Sequence, residues 1–353
     1  MIVKRRLQVS THHLHRPAPA LAGLALATAV LQLAATTGMA YVSGFSHFVH
    51  VLAGVRWYWL IVTVGALGVS LVGYHFACRG VYERSGGPRL RPDQMRSVTI
   101  AGFGGFLAEG GSALDKYALQ AGGADERQAD TRVLALAGLE HGVLGLIGTV
   151  AAIALLAGGN GVPPLDYSVP WAVLPVPGFL LAFWLARRFG PRIRRENRGW
   201  RRLAGLFVDC LELIRGLFVG LFEAPPAIWG MVLFWVAEMF AVWAGVAAFG
   251  FDMRPAPLVI GVGTGMVFTR RTGPLTGAGV MLLTLSASLY VSGAPLAMAV
   301  AGVFAYRVLS VWLTMPLAVA QLPRLRTMGM RRHWTPSEAK GLHKPVLVEG
   351  QAG

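Results

Sequence analysis

Six stretches of this chain are apolar over the length needed to cross a bilayer core. They cover residues 19–42, 57–78, 133–156, 169–186, 227–249 and 294–322. About 20 mostly apolar residues in an α-helix span roughly 30 Å of hydrocarbon, so each is predicted to be a full span. A seventh stretch, 203–222, is apolar but interrupted by Asp209, Glu212 and Arg215. Glu212 and Arg215 stand three apart, on one helical face, and the pattern predicts an amphipathic helix lying on the cytoplasmic surface; the alternative is a seventh span. Two further stretches fit neither template. Residues 98–119 carry Gly102, Gly104, Gly105, Gly110 and Gly111 with Glu109, Asp115 and Lys116 among them. Residues 258–290 carry Gly261, Gly263, Gly265, Gly273, Gly277 and Gly279 around Arg270, Arg271 and Pro274. Each reads as two short helices joined by a glycine break. Non-helical backbone at membrane depth persists only where protein or a watery cavity covers it.

The predicted fold class is therefore an all-α polytopic membrane protein. It has about six full spans, two re-entrant glycine-rich helical hairpins and one surface helix. Residues 1–18 form a basic tail, 19–322 the transmembrane domain and 323–353 a second tail. With 203–222 on the surface, the two hairpins enter from opposite sides, as in an inverted repeat. Paired interruptions of this kind point to a transport site. If 203–222 spans, that symmetry is lost.

Composition narrows the class. Of 353 residues, 54% are apolar and 14% charged, and mean hydropathy is +0.54. An ordinary soluble domain carries about 25% charge. The net charge is +15, and all but four of the 32 basic residues are arginine. They cluster between apolar runs, above all at 187–202, where the positive-inside rule places cytoplasmic loops. Both termini are then cytoplasmic, and the arginines suit anionic headgroups better than nucleic acid. The run 19–42 is too long for a signal-peptide core and reads as a retained anchor. Cys78 and Cys210 exclude a disulfide framework. No metal or cofactor motif is present: Gly261-Val262-Gly263-Thr264-Gly265 lacks the preceding strand of a dinucleotide loop, and His12, His13 and His15 read as a solvated tail.

The candidate chemistry lies in charges buried by their context. A charge at the bilayer centre costs at least ~2.5–3.5 kcal/mol. Glu238 and Arg307 lie near the midpoints of the fifth and sixth spans. They are expected to face one interior and offset each other, as a structural ion pair or as walls of a polar cavity. Glu140 and His141 sit in the third span, with Glu140 a possible proton handle. In the second hairpin, Pro274 suits a first helical position. The free N–H groups of that limb, with Arg270, Arg271, Thr272 and Gly273, make a recipe for phosphate. The alternative holds both arginines in the headgroup layer. Ser112-Ala113-Leu114-Asp115 reads as a capping box, so Asp115 is as much a structural as a cavity residue. Glu109, in the break itself, has no such local role.

Three stretches together resemble the membrane domain of lysylphosphatidylglycerol synthases and standalone flippase-like proteins. They are Gly102-Phe103-Gly104-Gly105-Phe106-Leu107 with Gly110, Gly111 and Asp115; residues 134–146 with Glu140; and Thr269–Gly279 followed by Ala305-Tyr306-Arg307. The arginine-rich second hairpin is similar to an actinobacterial branch. The resemblance implies a multi-pass protein of the bacterial inner membrane that binds or moves a phospholipid or polyprenyl-phosphate lipid. The headgroup would meet Arg270, Arg271, Thr272 and Gly273, and Glu109, Asp115, Glu140, His141, Glu238 and Arg307 would line the path. The synthases carry a soluble aminoacyl-transfer domain; only about 30 residues follow position 322 here, so lipid aminoacylation by this chain is not expected. Two other classes stay open: a scaffold docking a cytoplasmic enzyme on 187–202, and an enzyme acting on lipid-linked sugars. A homo-oligomer is compatible with each.

Overall fold

The computed structural model describes residues 18–103, 111–158, 163–195, 200–220, 226–267 and 274–330. Among the described residues the regular structure is helical throughout, with no strand. The α-helices are α1 (Ala18–Val42), α2 (Phe45–Ala53), α3 (Trp57–Glu83), α4 (Pro92–Phe103), α5 (Gly111–Ala121), α6 (Glu126–Gly158) and α7 (Leu165–Val173). They continue with α8 (Pro175–Arg195), α9 (Trp200–Val219), α10 (Pro226–Ala247), α11 (Pro255–Val267), α12 (Pro274–Val291), α13 (Leu296–Arg307) and α14 (Thr314–Met330). A π-helical turn, Val308–Trp312, runs α13 into α14. Six of the helical stretches are long and apolar enough to cross a membrane: Ala25–Val42, Trp57–Gly86, Glu126–Gly158, Leu165–Ile193, Pro226–Ala247 and Leu296–Leu325. They coincide with the six predicted spans, and the protein is a multi-pass membrane protein by this criterion.

The centre of the molecule is α10, of whose span 72% is buried. It lies antiparallel to α3 at very close range. Ser70, Gly73, Ala77 and Gly80 of α3 meet Glu238, Phe234, Gly230 and Ala227 of α10 in that order. A Cβ on Gly73 would stand 2.6 Å from the Phe234 nitrogen, and one on Gly80 2.6 Å from Ala227. Lipid tails are as apolar as leucine, so helices in a bilayer gain chiefly from such close packing. The longest helix, α6, uses glycine differently. Gly138, Gly142, Gly145 and Gly148 fall three or four apart on one face. They receive Ile214, Phe179, Pro175 and Trp171 respectively.

Both glycine-rich stretches are antiparallel helix pairs. In the first, Gly102 of α4 abuts Gly111 of α5, while Gly122 lies on Leu90 and Pro88. In the second, Gly265 of α11 lies on Leu285 of α12, and Gly261 on Leu289 and Ser292. Ser288 Oγ also donates to the Gly261 carbonyl. The limb after the second break begins at Pro274, as its missing N–H predicts. The limb after the first break is helical from Gly111. The break residues 104–110 and 268–273, and with them Glu109, Arg270, Arg271, Thr272 and Gly273, lie outside the described residues.

Helix α9 covers the ambiguous stretch 203–222 and is not among the six candidate spans. It crosses the start of α6, where Arg127 donates to Asp209 at 2.7 and 3.0 Å. Ile214 fills the gap at Gly138, and Arg84 donates to the Gly216 carbonyl at 3.0 Å.

Candidate functional site

The buried ionisable residues are set by α6, α10 and α13. Glu238 is 2% exposed. Its carboxylate accepts from Ser70 Oγ at 2.6 Å on one oxygen and from Tyr306 Oη at 2.5 Å on the other. The carboxylate thus ties α3, α10 and α13 together. Those two hydroxyls carry no warning in an apolar sequence. Arg307 is the last residue of α13, half-buried, next to Tyr306 and directly before the π-helical turn. Such single-turn insertions are frequent at functional sites.

Glu140 is likewise 2% exposed, and its backbone carbonyl accepts from Trp235 Nε1 at 2.8 Å. Trp235 lies three residues before Glu238 on α10. Next along α6, His141 places both ring nitrogens against carbonyl oxygens: Nδ1 at 2.8 Å from that of Ala137, Nε2 at 3.3 Å from that of Val267. Val267 is the last residue of α11, where helix carbonyls lack intrahelical partners. The imidazole therefore docks the end of α11 on α6.

The other hairpin ends in the same neighbourhood. Phe103, the last residue of α4, sits edge-on to Tyr74 and Phe234, with ring centroids 5.1 and 6.2 Å apart. Thr314 Oγ1 donates to its carbonyl at 3.2 Å. A continuous path thus runs from Phe103 through Phe234 and Trp235 of α10 to Glu140 and His141 of α6, and on to Val267. One of these limbs thus finishes on α10 and the other on α6, at turns that Trp235 and Glu140 join.

Asp115 is 3% exposed and faces the phenol of Tyr82 from α3. Its neighbour Lys116 pairs with Asp130 at 2.6 Å and with Glu126 at 3.9 Å, fixing α5 to the start of α6. Beside them Arg132, 5% exposed, donates to the carbonyls of Tyr82 and Arg84 at 3.0 and 2.9 Å. That guanidinium closes the end of α3. Sequence reasoning passed over it, because it stands close to the charged start of α6.

Sequence reasoning also missed a cavity. A space of about 610 Å³ lies between the middle of α6, the α7–α8 junction and the end of α11. Two prolines shape it. Pro175 cannot donate to the Trp171 carbonyl, and Thr149 Oγ1 on α6 donates there instead at 2.8 Å. The indole of Trp171 lies on Gly148 and Gly263, and its Nε1 donates to Thr264 Oγ1 at 2.8 Å. Of the predicted site residues that are described, His141 lines this cavity. Among the described residues no group of His, Cys, Asp and Glu is arranged to hold a metal.

No family model matches the chain, and no curated protein or solved structure is significantly similar to it.

Proposed function

We propose that the protein is a lipid translocase, or a lipid-binding relative of one, handling a phosphate-bearing headgroup between two re-entrant hairpins in a bacterial inner membrane. The observation that supports this most is the convergence of Phe103 and Val267, the ends of the two inner limbs, on Phe234–Trp235 of α10 and Glu140–His141 of α6. Two chain breaks that start from joined turns of α10 and α6 are well placed to share a substrate. In this reading Arg270, Arg271, Thr272 and Gly273, with the N–H groups at the start of α12, receive the phosphate. Glu109 takes a proton or meets an amino group of the headgroup. Glu140, Glu238, Arg307 and Asp115 border the polar path, and the basic 187–202 loop and both termini face the cytoplasm. The resemblance to the flippase-like membrane domain points the same way.

The test is reconstitution in liposomes with a labelled anionic phospholipid. Arg270→Ala combined with Arg271→Ala is expected to lower the flipping rate at least tenfold while the thermal midpoint in detergent stays unchanged. Equal flipping and equal headgroup binding by the double variant would refute the anion site. Charge reversal across 187–202 that abolishes function, with Glu238→Gln silent, would favour the scaffold instead.

A further inference from the structure

We propose that the cavity between α6, the α7–α8 junction and α11 is a binding site for one hydrocarbon chain of a membrane lipid. Its volume, about 610 Å³, falls within the usual range of small-molecule sites, roughly 300–1,000 Å³. The walls are Leu144, Pro170, Trp171, Leu174, Phe179 and Val267.

The polar groups in these walls are directed at other parts of the protein. Trp171 Nε1 donates to Thr264, the Tyr167 phenol is bonded to Thr264 and Ser288, and the His141 ring lies between the carbonyls of Ala137 and Val267, donating from the nitrogen that carries its proton. Asp166, at the rim, lies in the first turn of α7, where an acid complements the helix dipole. Most of the lining is apolar, and a hydrocarbon chain packs on it without displacing any of these bonds.

The mouth decides between occupants. Pro170, Leu174 and Gly178 line the cavity and are exposed, Leu174 at 66%. They belong to the candidate span Leu165–Ile193, of which only 6% is buried and whose outer surface is Leu180, Leu181 and Trp184. The opening therefore faces bilayer hydrocarbon, beside the middle of the 33-residue α6. What lies outside the mouth is an acyl or isoprenoid chain, and the cavity's shape and chemistry accept it. The inference is independent of translocation, since a protein that moves nothing can still hold a chain.

Gly178 offers a clean test. A Cβ built there meets nothing within 4 Å, so Gly178→Leu fills open cavity, and leucine is the better helix former. Ala182→Phe fills it from the next turn of α8. Gly68 on α3 also has nothing within 4 Å of a Cβ, and Gly68→Leu serves as the control. The full chain is reconstituted in vesicles containing a phospholipid with a photoactivatable group on its acyl chain, irradiated, and mapped by mass spectrometry. Wild type and Gly68→Leu are expected to carry adducts concentrated on residues 141–148 and 166–182. Gly178→Leu and Ala182→Phe should lower that labelling at least fivefold with unchanged thermal midpoints. Labelling unaffected by both variants would overturn the site, as would uniform labelling of all outward helices or cross-links to a second copy of the chain. The Arg270→Ala, Arg271→Ala double variant should keep this labelling, so failure of the phosphate reading and failure of the chain site give different results.

Discussion

The carboxylate of Glu238 shows why one buried acid is tolerated in α10. Hydrogen bonds to a charged group are worth about 1.5–3 kcal/mol, and removing one partner leaves the other group unsatisfied. Tyr306→Phe and Ser70→Ala should each destabilise the protein by about 1–3 kcal/mol, read as thermal midpoints in detergent. In Glu238→Gln the two hydroxyls keep a hydrogen-bonding partner, so it should cost less than Glu238→Ala. If Glu238→Ala is as stable as wild type, the clasp holds nothing together. Cys210 gives a second prediction, in pH. Burial pushes its thiol up to about 12. A folded-state value raised above the unfolded one contributes stability that is complete below the ordinary thiol range, near 8.5, and is lost as pH rises toward 12. The native protein should therefore resist maleimide at pH 8 and react after denaturation. Cys210→Ala should blunt alkaline unfolding between about pH 9 and 12. Rapid native labelling of Cys210 would contradict its burial. The sequence marked Glu238 as costly because charge inside an apolar run is conspicuous. It was silent about Ser70 and Tyr306, whose types are unremarkable in any helix.

At the scale of elements, the apolar runs predicted the six spans well, since span length follows directly from bilayer thickness. Their partners were not legible. Glycines in α3 and α6 look alike in sequence, yet those of α3 admit a backbone and those of α6 admit side chains. Gly73→Val should be among the most damaging substitutions, because its Cβ would meet the α10 backbone at 2.6 Å, and backbone cannot yield. Overpacking usually costs about 1–3 kcal/mol, and this site should lie at or above that range; a neutral result would contradict the α3–α10 pairing. Thr149→Val is predicted to be milder. It removes the donor that replaces the N–H of Pro175, and single interhelical hydrogen bonds in membranes average about 0.6 kcal/mol with a maximum near 1.7. The same logic explains α9. Its charges made it ambiguous, and the structure assigns them: Asp209 to Arg127, with Arg84 bridging to its backbone. Charge patterning showed that α9 has a polar face, but not which neighbour it would meet.

For the whole molecule, the question is whether the two glycine-rich pairs act as separate bodies or as one. The inverted arrangement expected from the sequence places them on opposite sides, and a periodicity argument cannot say whether their ends touch a common element. The structure links Phe103 to Val267 through three side chains, Phe234, Trp235 and His141, and the Glu140 carbonyl, all on α10 and α6. Packed interiors transmit strain because they leave few voids. If this route couples the hairpins, substitutions at its two ends should not be independent. Residues sharing no partner usually add within about 0.3–0.5 kcal/mol, and coupled ones deviate by about 0.5–3. Phe103→Ala and His141→Ala are predicted to deviate from additivity in thermal stability by at least about 0.5 kcal/mol. Replacing Trp235 with Phe, which removes the Nε1 donor to Glu140, should abolish that deviation. Additivity of the pair would mean that the hairpins are anchored on α10 and α6 without influencing one another, and rocking of one against the other would then need a different hinge.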